Sequence, residues 1–399
     1  MRIKFAVTVG VTVIGSCAVL FAAAQNVFDA AEPHEQLSQF LAPAYFPAAS
    51  LAHGIAVADL DRDGNADLVV SAPGASAVAV LLGTGDRLFA PPVEYMTGRG
   101  PKQAAIADMN GDGVLDIVSA NQDSTDDEDV SVLLGAGDGT FAPAVNLAAC
   151  SNPHQVAVGD LNGDGDLDVA VACWGEANLA ILLGSGGGAF QPAEFVHSGG
   201  DNPHGLIVAD LNRDGHLDIA AAALGSSLVG VLLNQGDGTF ATAVTYSTGS
   251  SPHSIKVHDL NDDGAPDLVT PNQSSNDVTV LINQGDGTFV VENYVTSWMP
   301  KDIAVGDLDE DGFPDIVTAD IHDNYPDGIN DTDVAVLYGR GDGTFTTATA
   351  YGVELTPFGV TVADVDGDGH ADVVTANWHT NDVAVLYNTG LGGLIFRVQ

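Results

Sequence analysis

Seven times along the chain a short acidic segment places carboxylates at its first, fifth and ninth positions. They are Asp59, Asp63 and Asp67; Asp108, Asp112 and Asp116; Asp160, Asp164 and Asp168; Asp210, Asp214 and Asp218; Asp259, Asp263 and Asp267; Asp307, Asp311 and Asp315; Asp364, Asp368 and Asp372. The third position adds Asp61, Asp309 and Asp366, or the amides Asn110, Asn162, Asn212 and Asn261, and the sixth is Gly in every copy. Three or four acids in one loop repel each other unless a cation sits among them. Side chains from positions one, three, five and nine, with a main-chain carbonyl near position seven, can converge on one point. The Gly permits the left-handed turn that wraps such a loop. An all-oxygen set favours Ca²⁺ over Zn²⁺, and the ligand number favours it over Mg²⁺. The expected cofactor is therefore structural Ca²⁺ at up to seven sites. A solvated Asp-rich turn would explain one such loop more readily than seven in register. Copies with Asn at position three carry less charge and are expected to bind more weakly.

These segments must be positioned by the elements between them. They begin at Asp59, Asp108, Asp160, Asp210, Asp259, Asp307 and Asp364, a period of about 50 residues, in the range of propeller blades and solenoid repeats. A Phe recurs in phase at Phe89, Phe141, Phe190, Phe240, Phe289 and Phe345, mostly at the end of "GTF". Around the third copy the runs "QVAVGD" (155–160), "LDVAVA" (167–172), "LAILLG" (179–184) and "AEFVHS" (193–198) are short, rich in Val, Ile and Ala, and bounded by turn residues. Four short antiparallel strands repeated seven times predict an all-β, seven-bladed β-propeller over 40–399. The acidic segment becomes the hairpin loop between the first two strands of each blade. The chain enters at "APAYFPA" (42–48), a fourth-strand pattern. The N-terminal strand should therefore complete the seventh blade beside "DVAVLYN" (382–388), with Phe396 as that blade's last mark.

The loops start like an EF-hand, but Asp stands at position nine where the EF-hand has Glu at twelve, and strands replace the flanking helices. With the "GDGTF" turns they resemble the FG-GAP/VCBS repeat family, whose relatives include the propeller of integrin α-subunits and some fungal seven-bladed lectins. The resemblance covers about 40 to 396 and implies the integrin-α-like propeller fold. It does not choose among adhesion, sugar binding, polysaccharide lyase activity and structural roles.

On the face opposite the loops the repeats diverge, as binding surfaces on a fixed scaffold do. The first strands begin near His53, Lys102, His154, His204, His253, Lys301 and Phe358, and the turns after the second strands add Trp174, His322, Trp378 and His379. Two readings stand. These residues are polar caps around the channel mouth, or His53, Lys102, His154, Trp174, His204, His253, Lys301, Trp378 and His379 line a shallow pocket for a sugar or an anion. A transition-metal site among the histidines is a third, remoter reading. Acidic insertions at 123–129 and 320–333 lie on the same face. Cys150 and Cys173 should also meet there as a disulfide.

With 54 Asp plus Glu against 11 Lys plus Arg, the chain lacks the clustered cations that nucleic acid or an anionic membrane surface requires. Residues 1–24, with Arg2 and Lys4 before a long apolar run and "AAAQ", read as a secretory signal peptide followed by a linker at 25–39. An uncleaved anchor is the alternative, and a lipid box at Cys17 a weaker one. The reading is a secreted, periplasmic or surface-displayed monomer that recognises a glycan or an extracellular protein. A polysaccharide lyase using the channel-mouth His and Lys, or a plain tether, are the alternatives.

Overall fold

The computed structural model describes residues 39–123, 129–321, 333–353 and 356–391. The expected signal segment and linker up to residue 38, His322, Phe396 and most of both acidic insertions lie outside the described residues. The described elements are all strands, in seven four-stranded antiparallel sheets. In the third blade the strands run Pro153–Gly159, Asp168–Cys173, Asn178–Leu182 and Glu194–His197, within two residues of the runs read from the sequence. The N-terminal strand Ala44–Pro47 pairs with Asp382–Leu386 and is the outermost strand of the sheet that also holds Pro357–Ala363 and Asp372–Asn377. Phe40 forms a further bridge with Asn388.

The second and third strands of each blade are buried on both faces, which is why they read as runs of small and β-branched residues rather than as alternating ones. Their side chains fill clusters shared by neighbouring blades. One joins Ile55, Leu68 and Leu81 of the first blade to Val374, Val383 and Val385 of the last. The recurrent Phe has a packing task between blades. Phe141 meets Tyr95 edge-on with ring centres 5.3 Å apart, Phe289 meets Tyr246 at 5.4 Å, and Phe345 meets Tyr294 at 5.5 Å. In each pair the Tyr lies on the outermost strand of the preceding blade. The N-terminal strand continues the series, since Phe40 meets Tyr351 at 4.9 Å and Phe46 meets Phe89 at 5.1 Å. Such edge-to-face pairs add about 0.5–1.5 kcal/mol each beyond the area they bury.

The entry to each blade sets the geometry of the channel mouth. In five blades the innermost strand starts at a Pro and its register shifts over the next residues, between Pro101 and Gln103, Pro153 and Val156, Pro203 and Gly205, Pro300 and Asp302, and Pro357 and Gly359. The residue before each Pro is left-handed: Gly100 (φ 69°), Asn152 (54°), Asn202 (55°), Met299 (47°) and Thr356 (69°). A bulge re-aims the side chain it carries. Here the re-aimed positions are Lys102, His154, His204, Lys301 and Phe358. Cys150 and Cys173 form a disulfide with Cα atoms 5.9 Å apart, clamping the entry of the third blade to its second strand. No helix among the described residues is long and apolar enough to cross a membrane.

Candidate metal loops and the histidine face

All seven acidic segments lie between the innermost and second strands, at one end of the blades. Each is wound by its own acids. The position-one carboxylate accepts the N–H of the position-six Gly at 2.7–3.1 Å in all seven loops. The position-three side chain accepts the N–H of position five at 2.9–3.3 Å. The position-five carboxylate accepts the N–H of position seven at 2.7–3.1 Å. The Gly has φ between 78° and 91° in every copy, a conformation that side-chain-bearing residues rarely adopt.

Position nine has a second task that the motif does not reveal. Asp67, Asp116, Asp168, Asp218, Asp267, Asp315 and Asp372 are fully buried. One oxygen accepts the N–H of position two, as from Leu161 to Asp168 at 2.8 Å, and the other an N–H beyond the third strand, as from Gly184 to Asp168 at 2.6 Å. The same pair of bonds recurs in the other six loops. Burial pushes these carboxyls up, to about 6 for Asp267 and about 7 for Asp315 and Asp372. A carboxylate oxygen engaged by one N–H keeps a lone pair for a cation. Three carboxylates present oxygens within 4.8 Å of one another at Asp59, Asp61 and Asp67, at Asp307, Asp309 and Asp311, and at Asp364, Asp366 and Asp372. These are the loops with Asp at position three. Neighbouring side chains also reach the loops. Arg213 donates to the Asp263 carbonyl at 3.0 Å, and Arg87 places Nε 2.5 Å from Asp366 and an amino nitrogen 3.3 Å from Asp368. Arg62 likewise donates to the Gly113 carbonyl, and His370 pairs with Glu310.

On the other face the histidines come together, and His53, His154, His253 and Lys301 border one small, partly open space. His53, His154, His204 and His253 are each only 6–7% exposed. The His154 and His204 ring centres are 3.3 Å apart, His204 and His253 4.0 Å, His154 and His253 5.7 Å, and His53 and His154 5.8 Å. Phe358 lies 4.2 Å from His53, and Trp378 5.5 Å from it. His204 Nδ1 and the His253 carbonyl are hydrogen-bonded at 2.7 Å. Burial first, and then repulsion from neighbouring histidines and from Lys102 or Lys301, holds the rings of His53, His154 and His253 well below the ordinary imidazole value. Burial brings His204 down to about 3. The space bordered by His53, His154 and His253 is partly open, with a volume of about 20 Å³, room for one water.

Lys102 and Lys301 lay their ammonium groups over Trp378 and Phe358, at 5.5 and 5.4 Å from the ring centres. Burial lowers Lys102, against the attraction of Asp123. His379 is exposed, and its Nδ1 lies 2.7 Å from Thr356 Oγ1. Trp174 is 39% exposed and Trp298 46%. Trp298 was missed in the sequence because it precedes an entry Pro instead of following a second strand.

The profile of the FG-GAP-like repeat family matches residues 59–119, 108–171, 171–221, 259–318 and 328–375. No curated protein matches the chain. Among solved structures it is similar to an Agrocybe aegerita lectin described as recognising non-reducing terminal N-acetylglucosamine. The two are 24% identical, with 75% of this chain and 80% of that one covered and a TM-score of 0.51. It is also similar to virginiamycin B lyase from Staphylococcus aureus, at 12% identity, 86% and 98% coverage and a TM-score of 0.57. A putative 6-phosphogluconolactonase from Bacteroides fragilis gives 14% identity, 85% and 94% coverage and a TM-score of 0.57. Likenesses at these identities show a shared fold across different activities.

Proposed function

The chain belongs to the FG-GAP-like repeat family, and from that premise we propose that it is a calcium-loaded propeller, secreted or displayed at the cell surface, that recognises a glycan or protein on the face opposite its calcium loops. The observation that carries this reading is the difference between the two faces. One repeats the same acid-wound loop seven times, as a scaffold device does. The other varies from blade to blade and leaves Trp174 and Trp298 exposed at its rim. Exposed indole faces suit the apolar face of a sugar ring or an aromatic anchor of a protein partner.

A glycan is the class to test first, because a propeller of this fold is a lectin for a terminal sugar. The channel-mouth histidines take a supporting place in this reading. They are buried around room for one water, so the ligand would rest on the rim above them. The same burial disfavours the lyase alternative, whose proton acceptor must reach a polymer. The test is a broad glycan array with the secreted chain in millimolar calcium, beside Trp174→Ala and Trp298→Ala. Specific binding by the parent, lost in either variant with melting unchanged, is the expected result. Binding that survives both substitutions would remove the rim from the reading. No glycan bound would transfer it to a protein ligand.

A further inference from the structure

Two of the junctions between blades lack a ring that the other five share. On the outermost strands one register position stands opposite a buried Val or Leu of the third strand. It holds Tyr95, Tyr246, Tyr294 and Tyr351, with Phe46 in the last blade. Each of these rings meets the Phe of the next blade edge-on, at 4.9–5.5 Å. The second blade has Leu147 there and the third has Val196. Val196 shares an apolar cluster with Phe240 of the fourth blade, but it is a whole ring shorter than the tyrosines. A partly open groove of about 410 Å³ results, bordered by Val196, Leu232, Phe240 and Ala243 and by the exposed His197 and Thr245. Tyr95 and Tyr246 also direct their hydroxyls to the carbonyls of Gly139 and Gly287, at 3.4 and 3.5 Å, two residues before the Phe. Gly238 holds that place before Phe240.

We propose that this groove binds a tyrosine side chain of a partner polypeptide, in the place that the chain's own tyrosines take at four other junctions. The guest ring stands edge-on to Phe240, and its hydroxyl reaches for the Gly238 carbonyl. The apolar floor excludes a charged side chain. An apolar cavity of about 150 Å³ already holds one benzene ring, so the groove also has room for backbone on either side of the ring. That room favours a polypeptide over a free phenol. The polar edge suits such a backbone. His197 Nδ1 accepts the Gly199 N–H at 3.0 Å, which leaves Nε2 to donate to a guest carbonyl. A buried aromatic anchor of this kind is how many protein partners gain most of their affinity. The groove lies along the outermost strands Glu194–His197 and Val244–Ser247, apart from the indoles that the glycan reading uses, so either assignment can fail without the other.

The test is a titration of the full chain, in millimolar calcium, with acetyl-Gly-Tyr-Gly-amide, its phenylalanine counterpart and p-cresol. The readout is the NMR shift of the Val196 and Leu232 methyl groups. Saturable shifts are expected with the tyrosine peptide, at least about threefold tighter than with either other compound. Val196→Tyr supplies the missing ring; it should abolish the Leu232 shifts and raise the Tm by roughly 1–2 °C. If that variant melts lower than the parent, Phe240→Leu takes its place and should weaken binding several-fold. No shift at these methyls in the parent would overturn the proposal. So would p-cresol or the phenylalanine peptide matching the tyrosine peptide, or binding that persists undiminished in the variant used. Methyl N-acetylglucosaminide binding more tightly than the peptide would make the groove a sugar site and overturn it. Self-association of the parent that Val196→Tyr abolishes, read by sedimentation, would assign the groove to a second copy of the chain and overturn it as well.

Discussion

Stepwise removal of calcium tests the seven acidic loops together. If each loop binds with the affinity of extracellular calcium modules, about 10⁻⁴ to 10⁻³ M, free calcium of about 2 mM stabilises the fold by roughly 0.6–1.8 kcal/mol per loop. Seven loops give about 5–13 kcal/mol. The region read as the propeller, 40–399, is 360 residues long (399 − 39), and an unfolding entropy of about 2.1 cal/mol/K per residue converts that range to a Tm shift of about 6–17 °C. The slope discriminates better than the shift. Once calcium exceeds the dissociation constant, each tenfold increase adds about 1.4 kcal/mol per bound ion, so seven ions give roughly 13 °C per decade and one ion about 2 °C. The assay is thermal melting by circular dichroism or calorimetry, from chelator to about 20 mM calcium, at constant ionic strength so that screening is held fixed. A melting point independent of calcium would refute the loop assignment. A slope fit for one ion would refute the inference that repetition of the loop means repetition of the site.

Four further outcomes are expected. Without metal, burial holds Asp267 at about 6 and Asp315 and Asp372 at about 7, all above the ordinary 3.8. The stability these carboxyls contribute is thus fully present below about pH 4 and lost as pH rises through about 7. The calcium-minus-chelator difference in Tm should be larger at about pH 8 than at about pH 6, and equal differences would count against the coupling. Asp168→Ala strands the buried N–H groups of Leu161 and Gly184 and should cost about 2–6 kcal/mol with or without calcium. Asp164→Ala, at an exposed position, should instead remove one loop's share of the calcium shift, and equal melting of the two variants in chelator would refute the division of roles. Arg87→Gln removes an internal cation from Asp366 and Asp368 and should strengthen calcium binding at one site several-fold, read by calorimetric titration; an unchanged isotherm would show that the guanidinium does not compete. Finally, the native protein should show no accessible thiol at Cys150 or Cys173, and reduction of that bond, across a sequence separation of 23, should cost roughly 3 kcal/mol. Two titratable thiols in the unreduced protein would contradict the pairing.

The fold was legible because its signals repeat. A hairpin loop with fixed acids, a phase-locked Phe and strands of small β-branched residues each carry local physics, and seven copies average out the irregular ones. The loops' internal wiring was half legible. The motif marks position nine as a ligand, but its two backbone bonds span from position two to the turn after the third strand, and no local pattern announces them. Depth around the channel was least legible. Sequence spacing places His53, His154, His204 and His253 at the same station in successive blades, yet whether such residues open to solvent or close on each other depends on the bulge after each Pro and on the width of the ring. Sequence spacing therefore gives the ring of residues but not the depth of the space of about 20 Å³ that they border. Arg87 escaped for a related reason. It belongs to the first blade, and its partners, Asp366 and Asp368, lie 279 and 281 residues away in the last.

Calcium bound as proposed would have a specific kind of work in the loops. The N–H groups at positions two, five, six and seven are already engaged by the loop's own side chains, as in the third copy. What remains unsolved without metal is repulsion, in a chain whose formal charge is −43. The buried position-nine carboxyls answer it by holding their protons to higher pH, and an ion among the acids would answer it with opposite charge. Protons and calcium are then competing remedies for one electrostatic problem. Mild acid should partly replace calcium in holding the propeller together, while only calcium does so with the carboxylates ionised. If the chain is secreted, as proposed, plentiful calcium and near-neutral pH would suit the second remedy.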